Sequence, residues 1–240
     1  MAGAALAGKA ELVFGMLLIV RHRTVRLTAA LAVMGIALGI VGNAAERSGL
    51  AHQTVLLVGG SLGAVAGSRL LAPGAALAAA WRSGSPWWLP SAGRLMGAAL
   101  LAAPAVGLTS AALVGPAMGW DAALQLGFVG WVYATAMTAV TLAASPFLGA
   151  SASGALGLLA VWFGGIPPSA MYELLGGWTY LQRPIVLMWN VLPLGWRANR
   201  WLHQAAMEDA LLLGGWIALG IVLGTWGAAR AVLEQDHRSR

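Results

Sequence analysis

The chain has 240 residues, of which 59% are hydrophobic and 9% charged, with a formal net charge of +6; an ordinary soluble domain carries roughly 25% charged residues. A soluble fold this apolar could not cover its own surface, so the chain reads as an integral membrane protein and its basic excess as membrane topology, not nucleic-acid binding. The absence of cysteine excludes a disulfide framework, a thiolate metal site and a cysteine nucleophile.

From the N-terminus, Lys9 precedes the apolar run "LVFGMLLIV", which "RHRTVR" follows in place of a small-residue cleavage site. Nine helical residues reach only about 14 Å, too short to span a bilayer. Residues 1–26 are therefore expected to form a helix lying in the membrane interface, with Arg21, Arg23 and Arg26 toward the headgroups. Six stretches are apolar enough to cross: 27–43, 53–72, 95–118, 122–145, 147–166 and 210–229. Short polar breaks separate them, such as "NAAERSG" after the first, "GWD" after the third and Ser145-Pro146 after the fourth. No internal repeat is visible, which disfavours a repeat-built secondary transporter.

Two connections stand out. Residues 73–94 hold "APGAALAAAW", then Arg82, then the proline-bounded turn "SPWWLP", then Arg94 at the start of the third span. Residues 166–209 hold Trp178, Trp189, Trp196 and Trp201, whose rings suit a membrane interface. The run "PIVLMWNVLP" there is bounded by prolines and too short to cross, which predicts one or two short helices dipping into the outer leaflet.

Orientation follows from the basic residues. With the N-terminus in the cytoplasm, Lys9, Arg21, Arg23, Arg26, Arg69, Arg82, Arg94, Arg230, Arg238 and Arg240 lie inside. Arg47, Arg183, Arg197 and Arg200 lie outside, so ten face four and both termini are expected to be cytoplasmic.

Motifs for chemistry are few. The lone lysine, Lys9, sits in "AGKAE", which is no phosphate-binding loop, and no H-E-x-x-H helix occurs. "GASASG" at 149–154 is not a G-x-S-x-G nucleophile elbow and reads as close helix packing. His22, His52, His203 and His237 all fall outside the expected spans and form no i, i+4 pair. Ligation could arise only across loops, and interfacial histidines are the plainer reading. No catalytic, cofactor-binding or metal-binding residue is assigned. Gly35/Gly39, Gly59/Gly63/Gly67 and Gly220/Gly224 have small-xxx-small spacing, which suits packing within a bundle or a self-association face. Thr135, Thr138, Thr141 and Ser145 share one broad face of the fourth span. They are candidates for a polar substrate path, or hydroxyls bonded back to their own helix. No ionisable residue lies mid-span, so a proton or sodium relay is absent, while Arg69 and Arg94 at span ends could snorkel to the interface.

The combination resembles the permease subunits of type-2 ABC exporters: an interfacial N-terminal helix, and after the second span a helix (75–81), a turn at Ser85-Pro86 and a basic residue, Arg94, opening the third span. The segment "VLPLGWRANRW" is similar to the proline-aromatic stretch at that family's re-entrant helices. The loop departs from the family in having little charge beyond Arg82 and in placing Trp87-Trp88 where polar residues are usual.

The resemblance implies an all-α membrane protein, one transmembrane permease domain over 1–240, with six transmembrane helices and short re-entrant helices between spans five and six. It implies a bacterial inner-membrane location, no ATPase site in this chain, and ATP and Mg on a partner ABC ATPase subunit. A second permease copy would complete a homodimer or heterodimer. Trp81, Arg82, Trp87, Trp88 and Arg94 would couple to the ATPase. Two other readings stay open: a haem-exporter-like subunit of cytochrome c maturation, and a non-transporting membrane scaffold or assembly protein.

Overall fold

The computed structural model describes residues 12–13, 44–70, 86 and 88–238. Of the N-terminal segment only residues 12–13 are described, both helical, and the expected first span lies outside the described residues. Among the described residues the protein is all helix, with no strand. In chain order the helices are α1 (Ala44–Leu70), α2 (Leu89–Met118), α3 (Trp120–Leu148), α4 (Ala150–Phe163), α5 (Pro168–Leu174), α6 (Thr179–Val191), α7 (Gly195–Gln204) and α8 (Met207–Arg238).

Alanine and leucine dominate the long helices, and a helix satisfies every backbone group internally, which an apolar medium demands. Three helical stretches are long and apolar enough to cross a membrane, at Leu89–Pro116, Trp120–Leu148 and Met207–Gly227. The bent pair α4 and α5 makes a fourth if taken as one span. At 27 residues α1 also has the length, but His52, Gln53 and its glycines and serines dilute its hydropathy. The stretch expected to cross at 147–166 is shorter than it read. Its helix is 14 residues, about 21 Å, and the chain then turns by 100° into α5.

The breaks have local causes. Gly119 at φ 93° and Gly149 at φ 79° end α2 and α3 in backbone regions that side chains disfavour. The fourth span therefore stops at Gly149, not at Ser145-Pro146. Pro146 lacks the amide that would bond the carbonyl of Leu142, and the Ser145 hydroxyl donates to that carbonyl instead at 3.0 Å. The segment after α4 forms three short helices where one or two were expected, and α6 runs through Pro184.

The centre of the bundle is α3. Glycines let α1 lie against it: a Cβ on Gly63 would stand 2.2 Å from the Ala134 carbonyl oxygen, and one on Gly67 would stand 2.1 Å from that of Thr138. The matching order of these pairs makes α1 and α3 parallel. On another face, Gly220 meets Ala139 and Gly227 meets Pro146, so α8 is parallel to α3 as well. Between them α2 runs antiparallel, with Val106 at Gly59 and Gly130, and α4 runs antiparallel, with Val161 at Gly60 and Gly157 at Ala64. The Gly59/Gly63/Gly67 and Gly220/Gly224 stripes are thus spent on packing inside the chain; Gly35/Gly39 lies outside the described residues.

Candidate functional site

At one end of the bundle, the connection between α1 and α2 is tied across its base. Arg94, in the second turn of α2, is only 1% exposed. Its Nη1 donates 2.7 Å to the Leu70 carbonyl, at the last residue of α1. The expected snorkelling arginine is therefore buried: a guanidinium that can bond an orphan C-terminal carbonyl of a helix stays inside. The turn entering α2 is closed by Leu89 N–H donating 3.0 Å to the Pro86 carbonyl, and Trp88 stands just before the helix, 43% exposed. Trp81, Arg82 and Trp87 lie outside the described residues.

The four serine and threonine residues of α3 all bond back to their own helix. Thr135 donates to Trp131 O at 2.9 Å, Thr138 to Ala134 O at 2.8 Å, Thr141 to Met137 O at 2.9 Å, and Ser145 to Leu142 O. Thr138, Thr141 and Ser145 are buried, and Thr138 and Thr141 face Gly67 of α1.

The opposite end holds a cavity of about 730 Å³. Its walls come from the first half of α1, the ends of α2 and α4, Tyr133 of α3, and α5 and α7. Leu70 lies 13 residues beyond Leu57 on the cavity wall, so the cavity is about 20 Å from the tied connection. Its apolar surface includes Leu56, Val161, Trp162 and Ile166, and its polar groups are His52, Gln53, Tyr133, Asn199 and His203. The imidazoles of His52 and His203 meet with ring centroids 5.1 Å apart, tilted by 42°. The Tyr133 side chain is fully buried among the core residues of α1, α3 and α4. It fits because residue 60 is glycine: a Cβ there would stand 2.7 Å from the Tyr133 ring and 2.8 Å from Val161.

A charged clamp holds the far wall in place. Asp209, at the start of α8, is completely buried and accepts from Arg197 Nη1 at 2.6 Å and Arg200 Nε at 2.5 Å. Arg200 also reaches Glu208 at 2.5 Å, and Arg197 donates to the Asn190 carbonyl at the end of α6. Both guanidinium groups lie over the Trp196 ring, at 4.5 and 5.3 Å. The Asp209 hydrogen bond raises the Arg200 pKa above its ordinary value. Trp196 N–H donates 2.7 Å to the Gly164 carbonyl and Trp189 Nε1 donates 2.9 Å to Ile166, fastening α6 and α7 to the end of α4.

Sequence reasoning missed His52, Tyr133, His203 and the Arg197–Asp209 pair as site residues. Charge spacing gave one usable signal: an aspartate at the mouth of an apolar span, a few residues beyond two arginines, in a chain with very few acids. Among the described residues no group of three or more metal-ligating side chains forms. No family model matches the chain, and neither do any curated protein or solved structure.

Proposed function

We propose that the chain is the membrane subunit of a type-2 ABC exporter, working with a second permease copy and a separate ATPase subunit. One observation carries the reading: Arg94 staples the start of α2 to the last carbonyl of α1. The connection between these two helices is clamped at its base, so a push on it would move both of them. That is what a coupling element must do for a nucleotide-driven partner. The six-span topology, with short re-entrant helices before the last span, belongs to the same proposal. The long apolar helices and the three short helices over 168–204 support it.

In this reading Trp81 and Arg82 dock into a groove on the ATPase, where aromatic and arginine anchors supply about 2 kcal/mol or more each. Trp88 holds the turn at the interface. The back-bonded hydroxyls of Thr135, Thr138, Thr141 and Ser145 leave a polar path through α3 without a donor to spare, so the substrate route of the proposal runs at the interface between permease copies.

The test is co-purification from native membranes of a partner carrying the phosphate-loop motif. Trp81→Ala and Arg82→Glu should keep membrane yield while losing the partner. The isolated chain should hydrolyse no nucleotide. Partner-free transport, or full retention of the ATPase by both variants, would overturn the reading.

A further inference from the structure

We infer that the cavity between α1, α4, α5 and α7 is a binding site for a compact, uncharged amphipathic molecule. This rests on the exporter reading only in giving that exporter a ligand class, at a site within one chain and apart from the route between permease copies; the site itself is argued from its own lining.

The size comes first. A volume of about 730 Å³ lies within the roughly 300–1,000 Å³ range of small-molecule sites. The lining is the second point. Leu56, Val161, Trp162 and Ile166 are apolar, whereas His52 and His203 stand together, with Asn199 also in the wall. An occupant must therefore have an apolar body and a polar group. The third point is charge. Among the described residues no Asp, Glu, Lys or Arg lines the cavity. A charged group would leave water without a counter-charge, which is costly, so an uncharged polar group is favoured.

The decisive group is Tyr133. It lines the cavity, it is 1% exposed, and its hydroxyl has no hydrogen-bond partner among the described residues. The serines and threonines of the bundle that could have left orphan hydroxyls mostly bond to their own helices, as Thr138 and Thr141 do; a phenol cannot reach back in that way. A buried hydroxyl without a partner is unfavourable and calls for an explanation. The hydroxyl is closed off at rest, and a ligand that draws it into the cavity by a small shift of the side chain and exchanges a hydrogen bond with it supplies that explanation. Gly60 closes the argument, because its missing side chain is what admits the Tyr133 ring and leaves Val161 beside it. Tyr133, Gly60 and Val161 close this wall, and the volume of about 730 Å³ holds the occupant to small-molecule size.

The experiment uses the full chain in nanodiscs and N-phenyl-1-naphthylamine, an uncharged aromatic amine, as probe. Tryptophan-sensitised probe fluorescence is compared with empty nanodiscs. Wild type should show a saturable component. Tyr133→Phe keeps the ring and removes the hydroxyl, and should weaken that component about fivefold. Ala170→Trp, at the cavity wall, should abolish it while Gly107→Ala, elsewhere on α2, leaves it unchanged. The anionic analogue 8-anilinonaphthalene-1-sulfonate should bind at least tenfold more weakly. Saturable binding that is equal in wild type, Tyr133→Phe and Ala170→Trp overturns the site, as does purely linear partitioning. Equal binding of the anionic probe overturns the uncharged class. ATPase capture is scored on the same preparations. Capture without saturable binding refutes this inference alone. Saturable binding with no ATPase refutes the exporter reading and leaves the site standing.

Discussion

Asp209 shows how much a single buried charge can commit. It is fully buried and faces two guanidinium groups. Asp209→Ala would leave Arg197 inside the protein without its carboxylate, and the expected loss is on the order of 3 kcal/mol. Thermal aggregation of the detergent-solubilised protein should fall by several degrees. Arg200→Ala should cost much less, because that side chain is 31% exposed and water screens its pairs. The Asp209 bond raises the folded-state value of Arg200. A cation raised in this way contributes stability that is present below its unfolded value and lost only as pH climbs past the folded one. For arginine that window is strongly alkaline, so the advantage of wild type over Arg200→Ala should stay flat between about pH 6 and pH 10. A neighbouring residue offers the opposite sign. Ala205 ends α7 at φ 50°, ψ 34°, a left-handed conformation that costs an L-residue about 1 kcal/mol or more. Ala205→Gly should therefore raise the aggregation temperature, and a drop would show that the turn depends on the methyl group.

At the scale of helices, glycine position decides what can be changed. Gly63→Ala must push against the Ala134 carbonyl on a neighbouring backbone, whereas a Cβ on Gly107 meets nothing within 4 Å. Gly63→Ala should cost about 1–3 kcal/mol through helix separation, and Gly107→Ala should be neutral or stabilising by about 0.5–1 kcal/mol. Folded yield by size-exclusion chromatography separates the two. The sequence made the stripe visible and left its partner open, because the spacing of Gly59, Gly63 and Gly67 is the same whether the facing backbone belongs to this chain or to another. The helix break was misplaced for a related reason. Proline at 146 reads as a stop, but Ser145 repairs the missing bond, and a side chain donating to its own helix leaves no trace in hydropathy. Gly119 and Gly149 tolerate the positive φ that ends each helix, but the glycines inside the helices look the same in sequence.

Across the whole molecule, the long apolar helices were legible and the cavity was not. His52, Tyr133 and His203 are 70 or more residues apart in sequence, and only the parallel and antiparallel order of α1, α3 and α4, with α7 folded back on Gly164, brings them together. Three of the apolar helices alternate in direction with the two between them, so the tied α1–α2 connection and the 164–206 segment occupy opposite ends of the bundle. On the ten-to-four bias of basic residues, the exporter proposal puts the first end in the cytoplasm. Since the chain has no cysteine, single cysteines report without interference. Trp178, between α5 and α6, is 65% exposed and accessible to a reagent at its own end. Trp178→Cys should react with a membrane-impermeant maleimide in intact cells. Ser83→Cys, in the connection between α1 and α2, should react only after permeabilisation. The reverse pattern would place the cavity on the cytoplasmic side and the elbow outside, where no ATP-hydrolysing subunit could reach it. The proposed coupling would then fail, although the cavity and its Tyr133 hydroxyl would be unchanged.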